Sequence, residues 1–362
     1  MIKIAARFHP YSHLPGASCL IPKSLWQIQA YPTLLEFKSL QSAKTFSLQM
    51  DIRGPVKNFT LEQDLERGKV YLFGESVKGY FRLSIQRVFA GIEIHFERIP
   101  GDVITCHSSD SRKAEQIKRG TLLLLPLDYE HPIVQLPQER LSLGTHKAQD
   151  WDLVSRRLDL QEIAPVWMRL GLALPEIKES KQTGGTLLLL DECQKILASG
   201  KREEIGASFQ RAFLAGFSSV MLPRLQDDLH QGILPIEEKI PANVTPLQFL
   251  KKGALLIRSL FFQEEGSEIS LLPHLPPEFF AGRFVGIRRA NGDQIDFEWS
   301  KKLLHKVVFR SSQEQEITLN LQKPLRRFRL RHSERGRGET IAAGEKIRLR
   351  PHEKIFLDRF EK

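Results

Sequence analysis

Apolar and polar positions alternate along the first third of the chain. Ile92-Glu-Ile-His-Phe-Glu is the clearest case, with one wet and one dry face, as expected of a half-buried antiparallel strand. Similar short runs, rich in β-branched and aromatic residues, lie at Lys3 to Phe8, Trp26 to Ala30, Leu34 to Phe37, Thr45 to Met50, Val70 to Phe73 and Tyr80 to Phe89. Gly, Pro, Asn and Ser punctuate them, and Phe89-Ala-Gly-Ile reads as a tight turn. The economical fold for such a run of strands is a β-sandwich.

Near Gln138 the pattern changes. From Gln149 the apolar period is helical, with Trp151, Val154 and Leu158 on one face. Pro165 breaks a helix interior, so a new element carrying Trp167 and Leu170 is predicted to start there. Thr186 to Ala198 reads as a helix stopped at Gly200, Glu203 to Met221 as one closed by Pro223, and Pro246 to Phe262 as one with Pro in its first turn. Past Gly266 the strand pattern returns at Glu268 to Leu271, Arg283 to Arg288, Gln294 to Trp299, His305 to Arg310, Glu316 to Leu321, Leu325 to Arg331, Lys346 to Leu349 and Lys354 to Leu357. Asn291-Gly292 predicts a two-residue type I′ hairpin. The expected fold class is α+β and multidomain: an N-terminal β-sandwich over residues 1–145, a short helical region over 146–267 and a C-terminal β-sandwich over 268–362.

Composition changes this picture little. Hydrophobic residues at 41% and charged residues at 27% belong to a globular protein, and 22 Phe imply aromatic cores. No stretch approaches the ~20 apolar residues of a membrane span, and the first residues show no secretory leader. Three cysteines, Cys19, Cys106 and Cys193, without CxxC spacing read as reduced core thiols. The expected location is therefore the cytoplasm.

Charge is informative. The net charge is +10, and residues 300–362 hold seven lysines and ten arginines against eight acids, a local net charge of +9. Arg327, Arg329 and Arg331 alternate with Phe328 and Leu330, giving a strand with a basic face. That face is either simply solvated or a polyanion site.

One ordered set of motifs stands out. It comprises Leu271, Leu272, Pro273, Leu275 and Pro276, then Gly286, Ile287, Arg288, Ala290 and Gly292, then Asp296 and Trp299. This set resembles the closing segment of glycoside hydrolase family 95, the α-fucosidase and galactosidase family, and more loosely its relatives with a helical barrel. There a leucine-leucine-proline-x-leucine-proline corner follows the last barrel helix, and a gly-x-arg-ala-x-gly-gly strand and an asp-x-x-trp strand follow it. The resemblance implies the same order of parts: β-sandwich, paired helices, small β domain. It also implies two departures. The family's barrel needs twelve helices, more than the middle of this chain can hold. The family's phe-gln-ile-asp-gly-asn motif is replaced by Ala242-Asn-Val-Thr-Pro-Leu-Gln-Phe, which has no Asp.

A glycosidase needs two carboxylates, one protonated and one ionised. The helical region offers the doublets Asp191-Glu192, Asp227-Asp228 and Glu237-Glu238, each of which sends one member inward if helical. The Gly- and Pro-bounded stretch Pro223 to Gly232 gathers acid, imidazole and amide groups. Asp228, His230, Asp191 and Glu192 are the catalytic candidates, and Trp151, Trp167, Asp227 and Gln231 the substrate-binding candidates. Each has a plainer reading: helix caps, solvated acids and core indoles. A carbohydrate site is expected where the helices face the N-terminal β region. His spacing suggests no metal, Gly184-Gly185 lacks the Lys of a P-loop, and no cofactor is expected. Three functions stay open: a reduced glycoside hydrolase relative, a catalytically dead binding or scaffolding descendant, and a polyanion binder using Arg327, Arg329 and Arg331.

Overall fold

The computed structural model describes residues 2–7, 16–109, 113–126, 132, 134–227, 232–234 and 240–362. The architecture is multidomain α+β and mostly β, with five helices among the described residues lying between two groups of sheets.

Two sheets form from the first 150 residues. A seven-stranded sheet runs Leu122–Pro126, Gly91–Arg98, Gly79–Val88, Lys69–Ser76, Lys57–Asp64, Lys3–Arg7 and Ala148–Asp150. A six-stranded sheet runs Glu115–Lys118, Val103–Ser108, Thr45–Met50, Leu34–Ser39, Trp26–Ala30 and Ala17–Leu20. Alternation sets their inner faces: Ile85, Ile94 and Phe96 from one, and Ile28, Phe37 and Leu48 from the other, are buried in the hydrophobic core. Strands such as Lys57–Asp64 gave no sequence signal, because polar Gln63 and Asp64 are buried with the apolar residues. Gln63 Nε2 donates to the Leu20 carbonyl across the core, and Asp64 Oδ1 accepts from the Glu66 and Arg67 amides of the next turn.

The helices are α1 (Trp151–Arg157), α2 (Leu160–Leu172), α3 (Leu187–Ser199), α4 (Arg202–Gly216) and α5 (Pro246–Phe261). Helix α2 corrects the expectation of a start at Pro165. Asp159 caps it by accepting from the Gln161 amide, and Pro165 lies inside it. A proline there frees the carbonyl four residues back, Gln161 O, and the Thr145 hydroxyl donates to that oxygen at 3.2 Å. Helix α4 stops at Gly216, five residues before the predicted end. Phe217 turns extended, and the Arg224 guanidinium donates to the freed carbonyls of Ala215 at 2.8 Å and Leu214 at 3.0 Å. Helices α2 and α5 pack closely. A Cβ on Gly253 of α5 would sit 2.1 Å from the Trp167 ring of α2, so only hydrogen fits there.

The C-terminal region pairs a seven-stranded with a four-stranded sheet. The first runs Arg140–Ser142, Gly282–Arg288, Gln294–Ser300, Leu303–Arg310, Lys354–Glu361, Arg327–Arg331 and Glu339–Ala342. The second runs Phe262–Glu265, Glu268–Leu271, Gln315–Asn320 and Lys346–Leu349. The edge strand of the seven-stranded sheet, Arg140–Ser142, comes from the segment that precedes the helices. The hairpin at Asn291-Gly292 forms, but not as type I′, since Gly292 alone of the pair has positive φ. Gly292 N–H donates to Arg289 O, which makes a three-residue loop. Asn291 is held there because its amide serves buried Asp293. Burial pushes the Asp293 carboxyl up, but donors from Ser312, Asn291 and Gln315 outweigh it and hold the group below the usual carboxylate range.

Candidate functional site

The corner that joins α5 to the last sheets is built from the motif residues. Leu271, Leu272 and Leu275 are buried. Leu272 takes a left-handed backbone (φ 56°), and its N–H donates to the Phe261 carbonyl at 2.8 Å, which ties the corner to the end of α5. Phe261 stacks on Phe279 and packs against Phe284 and Trp299, while Trp299 Nε1 donates to the Phe279 carbonyl. Gly286 has φ +73° at a bulge, where a Cβ would lie 2.4 Å from Gln138 O. Its N–H donates to Asp296 Oδ1, and Arg310 holds Asp296 Oδ2, both at 2.7 Å. These residues brace the junction between helix and sheet.

A cleft of about 690 Å³ opens beside this corner. Its floor is the outer stripe of α5, where Gln248, Lys251, Lys252, Leu255, Leu256 and Ser259 recur at helical spacing. One wall is α3, through Leu187, Gln194 and Leu197. The other is the loop Glu179 to Thr183, and His274 of the corner closes one end. Gln248 is anchored at both ends of its amide, accepting from the Thr245 N–H and donating to the Ser180 carbonyl. Lys251 pairs with Glu179 at 2.7 Å, and Lys252 with Asp191. Burial, and then the nearby Arg202 charge, lower the His274 pKa, so its ring favours the neutral form.

The sequence candidates distribute unevenly around this cleft. Asp191 lies behind it and holds Lys252. Glu192, one residue on, faces Arg211 at 3.4 Å on the exposed side of α3, as the helical offset of neighbours requires. Asp227 is buried against Arg224 at 3.3 Å and accepts from the Ile233 N–H. Asp228, His230 and Gln231 lie outside the described residues. The chain just before them docks on the start of α3, where Thr186 N–H and Oγ1 donate to the carbonyls of Leu225 and Arg224. Trp167 corrects its assignment as a sugar platform. It is fully buried among Phe209, Phe217 and Phe249, and its Nε1 donates to Leu250 O, so no ring face is open to a ligand. Trp151 is half-buried against Phe213.

Two further grooves flank the Arg140–Ser142 strand. One, of about 360 Å³, is lined by Glu66, Arg140, His146, Gln149, Pro165 and Arg283 among others. Its carboxylate, Glu66, is paired with Arg140 at 2.7 Å and faces buried Arg169 at 3.7 Å. The second is shallow and holds Asp296, committed to Arg310, and Glu298, opposite Arg283 and Lys306 on the flanking strands.

The basic strand also has partners. Arg329 makes a bidentate pair with Asp358 and Arg331 adds a single contact to Oδ2 of the same carboxylate, while Arg327 pairs with Glu361. Asp358 is held below the usual carboxylate range, first by the Arg329 hydrogen bond, against some desolvation, and then by the charges of both arginines. All three cysteines are free and buried, and burial raises the Cys193 thiol to about 11, so none is a poised nucleophile. No helix is long and apolar enough to cross a membrane among the described residues.

No curated protein matches the chain. A family model, glycoside hydrolase family 95, C-terminal domain, matches residues 263–351, a span that starts at the end of the cleft and contains the corner, the bulge at Gly286 and the Arg327–Arg331 strand. The carboxyl-terminal part of this protein is thus similar to the C-terminal domain of glycoside hydrolase family 95.

Proposed function

We propose that this glycoside-hydrolase-like protein binds a carbohydrate in the cleft between α3 and α5 and does not hydrolyse it. The observation that carries this reading is the chemistry of the cleft. Gln182, Gln194, Gln248 and Gln263 with Ser180, Thr183 and Ser259 line it beside the apolar side chains of Leu187, Leu197, Leu255 and Leu256. Amides and hydroxyls both donate and accept, as sugar hydroxyls do, and the leucines suit the C–H faces of a pyranose.

Turnover is disfavoured on the same grounds. Hydrolysis needs a protonated carboxyl and an ionised one flanking the bond. Among the described residues, Glu179 is the one carboxylate lining the cleft, and it is paired with Lys251. Asp191 is tied to Lys252, Glu192 to Arg211 and Asp227 to Arg224, and none of the three lines the cleft. Five helices among the described residues are also too few for a closed ring of paired helices. Asp191 is assigned the role of positioning Lys252. The three unpaired, buried thiols suit a cytoplasmic setting.

The test is a panel of fucosides, galactosides and oligosaccharides, scored for hydrolysis and for thermal shift on the same samples. The expected result is a melting temperature that climbs with ln(1 + [L]/Kd) for some sugar and no released product. Product release that disappears in Asp228→Asn would overturn the non-hydrolytic reading, and silence in both assays would overturn the carbohydrate reading.

A further inference from the structure

The charged groups of the cleft are unequal in sign. Among the described residues, Lys181, Lys251 and Lys252 line it against one carboxylate, Glu179, and Asp191 pairs with Lys252 without lining the space. Two of the three ammonium groups are also held in place. Lys251 is fixed by Glu179 on the loop wall, and Lys252 by Asp191 on α3. Each pair restrains a four-carbon side chain that would otherwise lose its freedom on binding, so the cations meet a ligand at reduced entropic cost.

An ammonium group with three donors is not satisfied by one carboxylate contact. Lys251 and Lys252 are neighbours on α5, and with Lys181 on the facing loop they bracket the amide-lined middle of the cleft. Sugar hydroxyls would meet Gln182, Gln194 and Gln248, and an acidic substituent on the ring would meet the lysines. His274, at the closed end, adds a neutral ring that can take a hydroxyl as donor or acceptor.

We infer that the cleft selects an anionic sugar, one bearing a carboxylate or a sulfate, over its neutral counterpart, with Lys181, Lys251 and Lys252 as the specificity-determining residues. The inference rests on the carbohydrate reading above and goes further by naming the class of sugar.

Titration calorimetry on the full chain separates the two. The probes are trigalacturonic acid, sulfated galactose, neutral galactotriose and inorganic sulfate, at about 20 mM and about 300 mM salt. The expected result is about tenfold tighter binding of an acidic probe than of galactotriose at low salt, with most of that preference lost at high salt. Lys251→Gln and Lys181→Gln should each narrow the preference several-fold, and Lys181, exposed on a loop, can be replaced without disturbing α5. Whichever acidic probe binds identifies carboxylate or sulfate as the source of the charge. Equal affinity for acidic and neutral sugars would overturn this inference and leave the carbohydrate reading standing. Inorganic sulfate bound as tightly as the sugars would also overturn it, because the lysines would then be a bare anion patch. Binding of no sugar at all would overturn both.

Discussion

Single residues account for the main surprises. Pro165 reads as a break in the sequence, yet it sits within a helix because a side chain from outside the helix, Thr145, accepts the task of satisfying Gln161 O. A local pattern cannot report a donor twenty residues away in the chain. Trp167 was open to two readings, and its surroundings decide for the core. The arginines 327, 329 and 331 were correctly placed on one strand, but their partners Asp358 and Glu361 lie about thirty residues on and became visible only with strand register. The Asp358 carboxylate links two of them, which gives a prediction. Its pKa is lower folded than the ordinary 3.8, so its contribution is present above about 4 and is lost as pH falls through the folded value. Asp358→Asn should therefore lower the melting temperature at pH 7, and the gap to the parent protein should close in acid. A gap that stays constant from pH 7 to pH 2.5 would show that the loss was one of packing and not of charge.

At the scale of elements, strands with strict alternation were legible and strands with buried polar residues were not. Trp26–Ala30 and Thr45–Met50 match their predicted limits, whereas Lys57–Asp64, with its buried polar pair, and Arg140–Ser142, only three residues long, carry no such signal. The end of α4 falls short of its apolar pattern because Arg224 caps it from beyond a turn. The corner after α5 was the most legible feature, since three leucines and two prolines in order left few ways to bury the apolar groups. Leu272 is fully buried there with its backbone bonded to α5. Leu272→Ala should cost about 2–5 kcal/mol in urea unfolding, the range for a buried leucine whose cavity does not collapse. The same change at half-exposed Leu256 should cost much less. Equal costs at the two positions would mean that the corner does not lock the helix to the sheet.

At the scale of the whole molecule, the connecting segment from Pro137 to Asp150 holds the three regions together. It gives Arg140–Ser142 to the C-terminal sheet and Ala148–Asp150, in parallel, to the N-terminal strand Lys3–Arg7. Between them Thr145 caps the proline gap in α2. Glu139 makes a bidentate pair with Arg258 of α5 at 2.8 and 2.9 Å. Arg169 of α2 is 2% exposed and donates to the carbonyls of Pro137 and Glu139, with Glu66 of the N-terminal sheet at 3.7 Å. A buried guanidinium that reaches from α2 to both the connecting segment and the N-terminal sheet is costly to strand, because losing a partner leaves charge in a dry site. Sheets that each take a strand from this one segment, and helices that are each tied to it by an arginine, should unfold together, so calorimetry on the intact chain should give one cooperative transition. Arg169→Met removes the charge and keeps most of the volume. It leaves the Pro137 and Glu139 carbonyls without a donor, so the melting temperature should fall by several degrees and the single peak should broaden or split. Two resolved peaks in the unaltered protein would refute the coupling, since the segment would then be a tether between regions and not a shared part of their structure.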